Sequence, residues 1–339
     1  VLFLERSLEL LRPGGICGMI VPNKLATSDY AQTCRELLLE RTQLLRIIDL
    51  SAVRVFGDAS VYPYILIFRK QIPAASHFVT TAVLTSVGSL VGDLGATRVA
   101  QRQMSAEQGL VLGTSLDVEA RVATRRLDQI ATLHRGTTGF TSERLASQLE
   151  EADVAGGPGF PFIVSGNIDR YRIRPGNLRF LRRTFRAPVL PVRAACLSDG
   201  KRRLYGSQKI VVAGLSRRLE AAWDRSGRAL GVQVYAVECT DDARWLLGLL
   251  NSKLLAFLFR LRNQAKRLSG GYLSVNKSQL GRLPIRVVDR RREPQDASRQ
   301  LELCSLVERI EHLVAREAAE AERGDADSSV RRQLLELEA

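Results

Sequence analysis

The feature that most constrains this chain is the alternation of helical and extended hydrophobic patterns over its first 70 residues. Leu4, Leu8 and Leu11 recur at helical spacing, and Pro13-Gly14-Gly15 ends that helix. Ile16–Val21 is a continuous apolar run, the pattern of a strand buried on both faces of a sheet. Ser28 or Asp29 can cap a second helix that runs to about Glu40 through Leu37 and Leu38. Leu44–Leu50 and Val61–Phe68 then read as two further strands, joined by a loop holding Phe56, Gly57 and Asp58. This is α/β architecture with too few strands for a complete sheet, so part of the fold is expected upstream of Val1.

Beyond residue 70 the pattern weakens. Phe78–Leu84 and Thr97–Ala100 read as edge strands, and Glu119–Leu133 as a helix leading into the turn His134-Arg135-Gly136-Thr137-Thr138-Gly139. Short strand-like pieces follow at Pro161–Ser165, Arg170–Arg174, Pro188–Ala194, Lys209–Ala213 and Val232–Cys239. One long helix is expected next, from a Thr240-Asp241-Asp242 start to a stop at Ser269-Gly270-Gly271, with Trp245, Leu246, Leu249, Leu250 and Leu254 on its apolar side. Residues 297–317 carry Leu303, Leu306, Ile310 and Leu313 at coiled-coil-like spacing, a candidate surface for another subunit.

Charge is distributed unevenly. The chain carries a formal +14, and residues 151–290 alone hold 26 Lys and Arg against 10 Asp and Glu. Twelve of the twenty aromatics fall in the same block, and only seven of the fifty basic residues are Lys. Arginine's planar fork suits phosphates and base edges, so the expected partner is a polyanion, double-stranded DNA first. Arg135, Arg170, Arg172 with Tyr171, Lys209, Lys266, Arg267 and Lys277 are the candidate contacts, and Asn276 could pair with an adenine edge.

Other classes are disfavoured. No apolar run approaches the ~18 residues of a membrane helix, so no membrane partner is expected. Val1–Leu11 carries Glu5 and Glu9, unlike a secretory leader. Five scattered cysteines without a CxxC pair argue against a disulfide framework and a metal cluster, and for a reducing cytoplasm. There is no GxGxxG, Walker lysine motif or HExxH, and His77, His134 and His312 lie far apart in the sequence, so no metal site or catalytic triad is expected.

The order of the longer motifs is more specific. The run Leu11-Arg12-Pro13-Gly14-Gly15-Ile16-Cys17-Gly18-Met19-Ile20-Val21-Pro22-Asn23 is followed by Leu44-Leu45-Arg46-Ile47-Ile48-Asp49-Leu50 and Val55-Phe56-Gly57-Asp58. This succession resembles the second half of the catalytic domain of γ-type adenine-N6 DNA methyltransferases. The basic block resembles their TaqI-like C-terminal specificity domain. It does so through Ser165-Gly166-Asn167-Ile168-Asp169-Arg170-Tyr171, Lys209-Ile210-Val211-Val212, Leu247-Gly248-Leu249-Leu250-Asn251-Ser252-Lys253-Leu254-Leu255, Gly270-Gly271-Tyr272-Leu273 and Leu283-Pro284-Ile285.

The resemblance implies a fold class and a division. Residues 1–105 would be a partial methyltransferase catalytic domain, the second half of a class I (Rossmann-like) sheet. Residues 116–287 would be an α+β target-recognition domain and 297–339 a C-terminal helical tail. It also implies S-adenosylmethionine as cofactor, restriction-modification or a related defence system as context, and a bacterial or archaeal cytoplasm. The family's glycine-rich cofactor loop and its Asn/Asp-Pro-Pro-Tyr/Phe loop are both missing here, since no Asn or Asp precedes a Pro-Pro pair. Methyl transfer by this chain alone is therefore not expected. Phe56 stands where the family places an aromatic against the flipped adenine, and Pro22 and Asn23 stand at the pocket edge. Asn251-Ser252-Lys253 is read as packing the domain rather than reading bases. The alternative reading is a non-catalytic DNA-binding specificity module that works with a separately encoded catalytic or nuclease chain; an RNA methyltransferase relative is a third.

Overall fold

A two-glycine break sets the first connection. Gly14, at φ +74°, donates its N–H to Lys70 O (2.9 Å), and Lys70 N–H returns to Gly15 O (2.8 Å). These bonds pin the end of helix Leu2–Leu10 to the start of strand β1 (Ile16–Pro22). The computed structural model describes the chain except residues 1, 52, 54, 57–61, 85–95, 107–108, 111–123, 154–157, 175, 240–242, 264–271, 324–329, 331–332, 335 and 338–339. It divides into two units: Val1–Asp117 with Phe257–Gly271, and Val118–Ala256 with Tyr272–Ala339.

The first unit is built on a five-stranded mixed sheet. Beside β1 it holds β2 (Gln43–Asp49), β3 (Pro63–Arg69), β4 (Phe78–Val83) and β5 (Thr97–Ala100), in the order β1-β3-β2-β4-β5. β3 runs antiparallel to both β1 and β2, whereas β2 and β4 are parallel. Leu4 and Leu8 from the first helix and Leu38 from helix Gln32–Arg41 pack with Leu66, Phe68, Leu44 and Val79. Two polar side chains are buried here as clamps. Arg35 donates to Ala106 O, Leu25 O and Ser28 O (2.7–2.9 Å), and Gln101 accepts from Leu44 N–H and donates to Leu39 O and Thr42 O.

β1 departs from the sequence expectation. Of its seven residues only Val21 is buried, and Ile16 and Ile20 are exposed. Position explains it: β1 is the edge of the described sheet, and its burial alternates with the two-residue period of a strand covered on one face. An apolar run alone cannot report whether both faces are covered.

The second unit begins with β6 (Thr124–Arg126), β7 (Thr132–Arg135), β8 (Glu150–Glu151), β9 (Gly159–Ile163), β10 (Ile168–Asp169) and β11 (Arg172–Ile173). It continues with β12 (Leu178–Phe180), β13 (Arg183–Phe185), β14 (Pro188–Pro191), β15 (Lys209–Ala213) and β16 (Leu215–Ser216). The last strands are β17 (Ala221–Asp224), β18 (Ala229–Leu230), β19 (Val234–Glu238), β20 (Leu273–Ser274) and β21 (Pro284–Arg286). Two four-stranded sheets, β17-β15-β19-β7 and β18-β9-β14-β8, share one core. Val211, Ala213 and Ala236 meet Phe162, Leu190 and Leu230 there.

The expected helix over 119–133 is not found in its described part. Only Leu127–Ile130 is helical, and Thr132–Arg135 is strand β7, paired with β19. Cross-strand pairing overrides a helical pattern that short. Residues 119–123 lie outside the described residues.

The single helix expected near 240–267 is two helices, Ala243–Leu250 and Lys253–Arg262, broken at Asn251-Ser252. Ser252 Oγ accepts from Leu255 N–H (3.1 Å), an N-cap for the second helix. The Thr240–Asp242 start and the Ser269–Gly271 stop lie outside the described residues.

The amphipathic helix read at 297–317 is longer, Pro294–Arg323, and its apolar stripe faces its own unit. Val307 and Ile310 are buried, and a Cβ on Gly248 would sit 3.0 Å from Val307 Cγ2 and 3.2 Å from Leu303 Cδ2. Helix Ala243–Leu250 thus covers part of the stripe, while Leu303, Leu306 and Leu313 stay half-buried.

Candidate nucleic-acid interface

In the first unit, β1 and β2 both run antiparallel to the β3 between them, so their carboxyl ends reach the same edge of the sheet. Pro22 pairs with Pro63 at that edge, and Asn23 N–H donates to Tyr62 O (2.8 Å). The Asn23 side chain is buried and donates from Nδ2 to Ser51 Oγ (3.2 Å), tying the two loops together. Asp49 Oδ1 accepts from Ser51 N–H (2.7 Å), which tightens the same turn. Phe56 lies further along this loop and is 42% exposed, with Val55 beside it 39% exposed. A large apolar ring held in solvent on a sheet-edge loop is available to stack; Gly57 and Asp58 lie outside the described residues.

The described residues of this unit do not fit S-adenosylmethionine. Both β1 and β2 leave their carboxyl ends through ordinary side-chain-bearing residues, Pro22-Asn23 and Leu50-Ser51, where a nucleotide cradle needs glycines for close backbone approach. Its small cavity, about 230 Å³, is lined by Glu5, Leu8, Glu9, Leu37, Arg41 and Lys70, with no aromatic to hold an adenine ring. Among the described residues no cluster of three or more His, Cys, Asp or Glu could hold a metal, and no helix is long and apolar enough to cross a membrane.

In the second unit several expected DNA contacts prove to be internal. Lys209 is the clearest correction. Its side chain and that of Asp224 are fully buried 2.7 Å apart, and Lys209 Nζ also donates to Tyr205 O and Ser207 O. Burial pushes the Lys209 ammonium below its ordinary pKa, while Asp224 and its hydrogen bond pull it back up. Asp224 completes the site by accepting from Arg228 (2.6 Å) and Gly227 N–H (3.1 Å). A charge so enclosed cannot reach a phosphate.

Asn276 is likewise a structural residue. Its Oδ1 accepts from Gln279 N–H (2.8 Å) and Gln279 Oε1 accepts from Asn276 N–H (3.0 Å), a capping box that starts helix Lys277–Gly281. Arg172 donates to Glu317 (3.0 Å), and Tyr171 is buried at φ +60° with Arg170 stacked over its ring at 5.6 Å. Arg135 and Lys277 are exposed. Lys266 and Arg267 lie outside the described residues.

The long C-terminal helix accounts for part of the basic surplus. Besides Arg172, it pairs Arg225 with Glu311 (2.7 Å), Arg244 with Glu308 (2.7 Å) and Arg286 with Asp296 (2.8 Å), and Glu293 just before the helix also holds Arg286 (2.9 Å). Those arginines are neutralised structurally. His134, which the sequence left without a partner, meets Glu238 at 2.6 Å across β7 and β19.

The Ser-Gly-Asn and Asn-Ser-Lys motifs acquire roles as clamps. Ser165 Oγ donates to Leu215 O (3.1 Å) and accepts from Leu215 N–H (2.9 Å). Asn167 accepts from Val164 N–H and donates to both Arg174 O and Gly176 O (2.9–3.0 Å). Asn251 is buried and makes a two-pronged bond with Ala221, accepting from its N–H (3.0 Å) and donating to its carbonyl (2.9 Å). Asn251 thus packs the domain, as read from the sequence.

What Asn167 steadies is a feature the sequence did not reveal, the hairpin β12–β13. Leu178 pairs with Phe185, Arg179 with Thr184 and Phe180 with Arg183, and Asn177 N–H donates to Arg186 O (2.8 Å) at the base. Leu178, Phe180 and Phe185 are anchored in the core. Its two-residue turn, Leu181-Arg182, has φ +46° and +67°. Such turns favour Asn-Gly, whose absence hid the hairpin, and each left-handed L-residue costs roughly 1–2 kcal/mol.

Comparison with known proteins matches these two regions. Residues 1–56 match the Eco57I restriction-modification methylase family, and residues 161–285 match the TaqI-like C-terminal specificity domain. The chain is thus similar to restriction-modification methylase sequence at its start and to a TaqI-like specificity domain further on. It is 30% identical over 70 residues to the type II restriction enzyme and methyltransferase RM.Eco57I of Escherichia coli, a match spanning 21% of this chain and 7% of that enzyme. Its fold is shared with the type IIL restriction-modification enzyme MmeI, solved in complex with DNA. That match has a TM-score of 0.54 and 9% identity over 99% of this chain and 48% of that one. The chain thus spans about half of the solved structure it matches and a small part of the curated relative.

Proposed function

We propose that this chain supplies the DNA target-recognition part, and the wall against which a base is flipped, of a site-specific adenine-N6 DNA methyltransferase of a restriction-modification or related defence system. The observation that carries the reading is the coincidence of the specificity-domain match over 161–285 with the block holding the chain's basic surplus. Phosphate contacts from that block would hold the duplex and a few side chains would read base edges. The mixed sheet of the first unit, with β3 antiparallel between β1 and β2, suits the second half of a Rossmann-like methyltransferase sheet. Methylating an adenine amine requires the base to leave the duplex stack, and an exposed ring offsets the lost stacking. Phe56 is assigned that role, with Pro22 and Asn23 shaping the pocket edge.

The test is duplex binding by the purified chain at graded salt. Affinity should fall steeply and log-linearly as salt rises; no salt-sensitive affinity for any duplex overturns the reading. For Phe56, a fluorescent adenine analogue in the target reports flipping in the complete enzyme. Phe56→Ala should suppress the fluorescence rise and lower turnover more than it lowers Tm, and an unchanged rise refutes the assignment.

A second reading has an observation in its favour. Because the residues present do not fit S-adenosylmethionine, the methyl-donor site is assigned to protein outside this chain. A separate catalytic subunit would satisfy that as well as an upstream segment would. An in-frame upstream sequence with glycine-rich and Pro-Pro-Tyr motifs selects the single-chain enzyme; a true start codon at Val1 selects the module.

A further inference from the structure

We propose that the hairpin β12–β13 enters the major groove of the duplex and that Leu181 at its tip reads a thymine through the C5 methyl group. The proposal rests on the DNA-recognition reading above and adds to it a specificity-determining residue. Residues 176–187 contain four arginines and no acid, and Arg179, Arg182 and Arg186 form no salt bridge among the described residues. The neighbouring Glu151 is occupied, accepting from the backbone N–H groups of Arg186 and Ala187 (2.9 and 2.7 Å). The hairpin is a strongly positive finger, complementary to a polyanion.

Its tip, however, is apolar. Leu181 is 46% exposed between these arginines, in a left-handed conformation that glycine or asparagine would adopt more easily. The base gives it a rigid mount: Phe180 and Phe185 are buried, and Arg183 stacks on the Phe185 ring at 4.8 Å while donating to Ala146 O (3.0 Å). A strained turn on an anchored hairpin, spent on displaying a leucine, points to a use for that leucine.

Dimensions select the groove. Three residues per strand at ~3.4 Å each give a ribbon roughly 10 Å long, packed on the core through Leu178, Phe180 and Phe185 and open on its other face and at its turn. The major groove is about 12 Å wide and 8.5 Å deep and admits a two-stranded ribbon, whereas the minor groove, at about 6 Å, does not. Leucine has no hydrogen-bonding group, and the apolar feature on the major-groove edges of the four bases is the thymine methyl. Arg179, Arg182 and Arg186 would then lie along the phosphates on either side.

The chain is equilibrated with a randomised duplex library, the bound fraction is sequenced, and the enriched site is remade with each thymine replaced by uracil. Loss of one methyl contact should weaken wild-type binding about fourfold at one position. Leu181→Ala should be indifferent to that replacement while binding unrelated duplexes within about twofold of wild type. Leu181→Asn with Arg182→Gly, a pair suited to the turn, should raise Tm and erase the thymine preference. Arg179→Ala with Arg182→Ala should weaken all duplexes alike and lower the salt slope by about one per arginine. If Leu181→Ala retains the uracil sensitivity, or the enriched site holds no uracil-sensitive thymine, the leucine assignment fails while DNA recognition stands. If the wild-type chain binds no duplex, both fail.

Discussion

Asn251→Ala is the substitution that most directly separates packing from base reading. The side chain is buried and satisfies both backbone groups of Ala221, through bonds of 3.0 and 2.9 Å. The Ala221 carbonyl keeps a second donor, Tyr171 N–H at 2.8 Å, whereas its N–H is served by Asn251. Truncation therefore leaves a buried N–H unsatisfied, about 1–3 kcal/mol, and adds a small cavity, for roughly 2–4 kcal/mol in all. In a unit of roughly 200 residues each kcal/mol shifts Tm by about 2–4 °C, so a fall of roughly 5–15 °C is expected. Asn251→Asp should fare no better, because a carboxylate oxygen would replace the amide donor facing the Ala221 carbonyl. Thermal melting by circular dichroism measures the fall. Duplex affinity and sequence preference, measured well below the transition, should be unchanged. A Tm within about 1 °C of wild type together with altered base preference would refute the packing argument.

The same logic applies to the buried ion pair. Asp224→Ala should cost about 3–5 kcal/mol in urea unfolding, because it strands the Lys209 ammonium in the core. Lys209→Met should cost less, since Asp224 keeps Arg228 and Gly227 N–H, and it should leave the salt slope of DNA binding where it was. Glu151 sets an acid limit on the hairpin mount. Its carboxyl is held below the ordinary 4.5 by the Ala187 and Arg186 backbone N–H groups. Its folded pKa being lowered, its contribution is present above the unfolded value and is lost as pH falls through the folded one. Melting temperatures measured downward from pH 6 should fall less steeply below about pH 4.5 in Glu151→Gln than in wild type; parallel curves would count against the contact.

Local signals announced much of the fold. Strand β5 lies where Thr97–Ala100 was expected, β15 where Lys209–Ala213 was, and β2 and β3 within two residues of their apolar runs. Such strands carry their own β-branched or apolar pattern. The break at Asn251-Ser252 was missed: both are capping residues, but the unbroken leucine pattern around them reads as one helix. The β12–β13 hairpin was not legible, because its turn lacks the glycine that flags such loops.

What the sequence determines by itself is chemistry that repeats along the chain: periodicity, the order of motifs, and where positive charge accumulates. Tertiary structure alone decides which charges are free to act. Lys209 and Lys277 look alike as letters, yet one is sealed against Asp224 and the other faces solvent. Arg172 is held by Glu317, a partner 145 residues away. Electrostatic availability depends on partners and solvent within a few ångströms, and distance along the chain carries no such information.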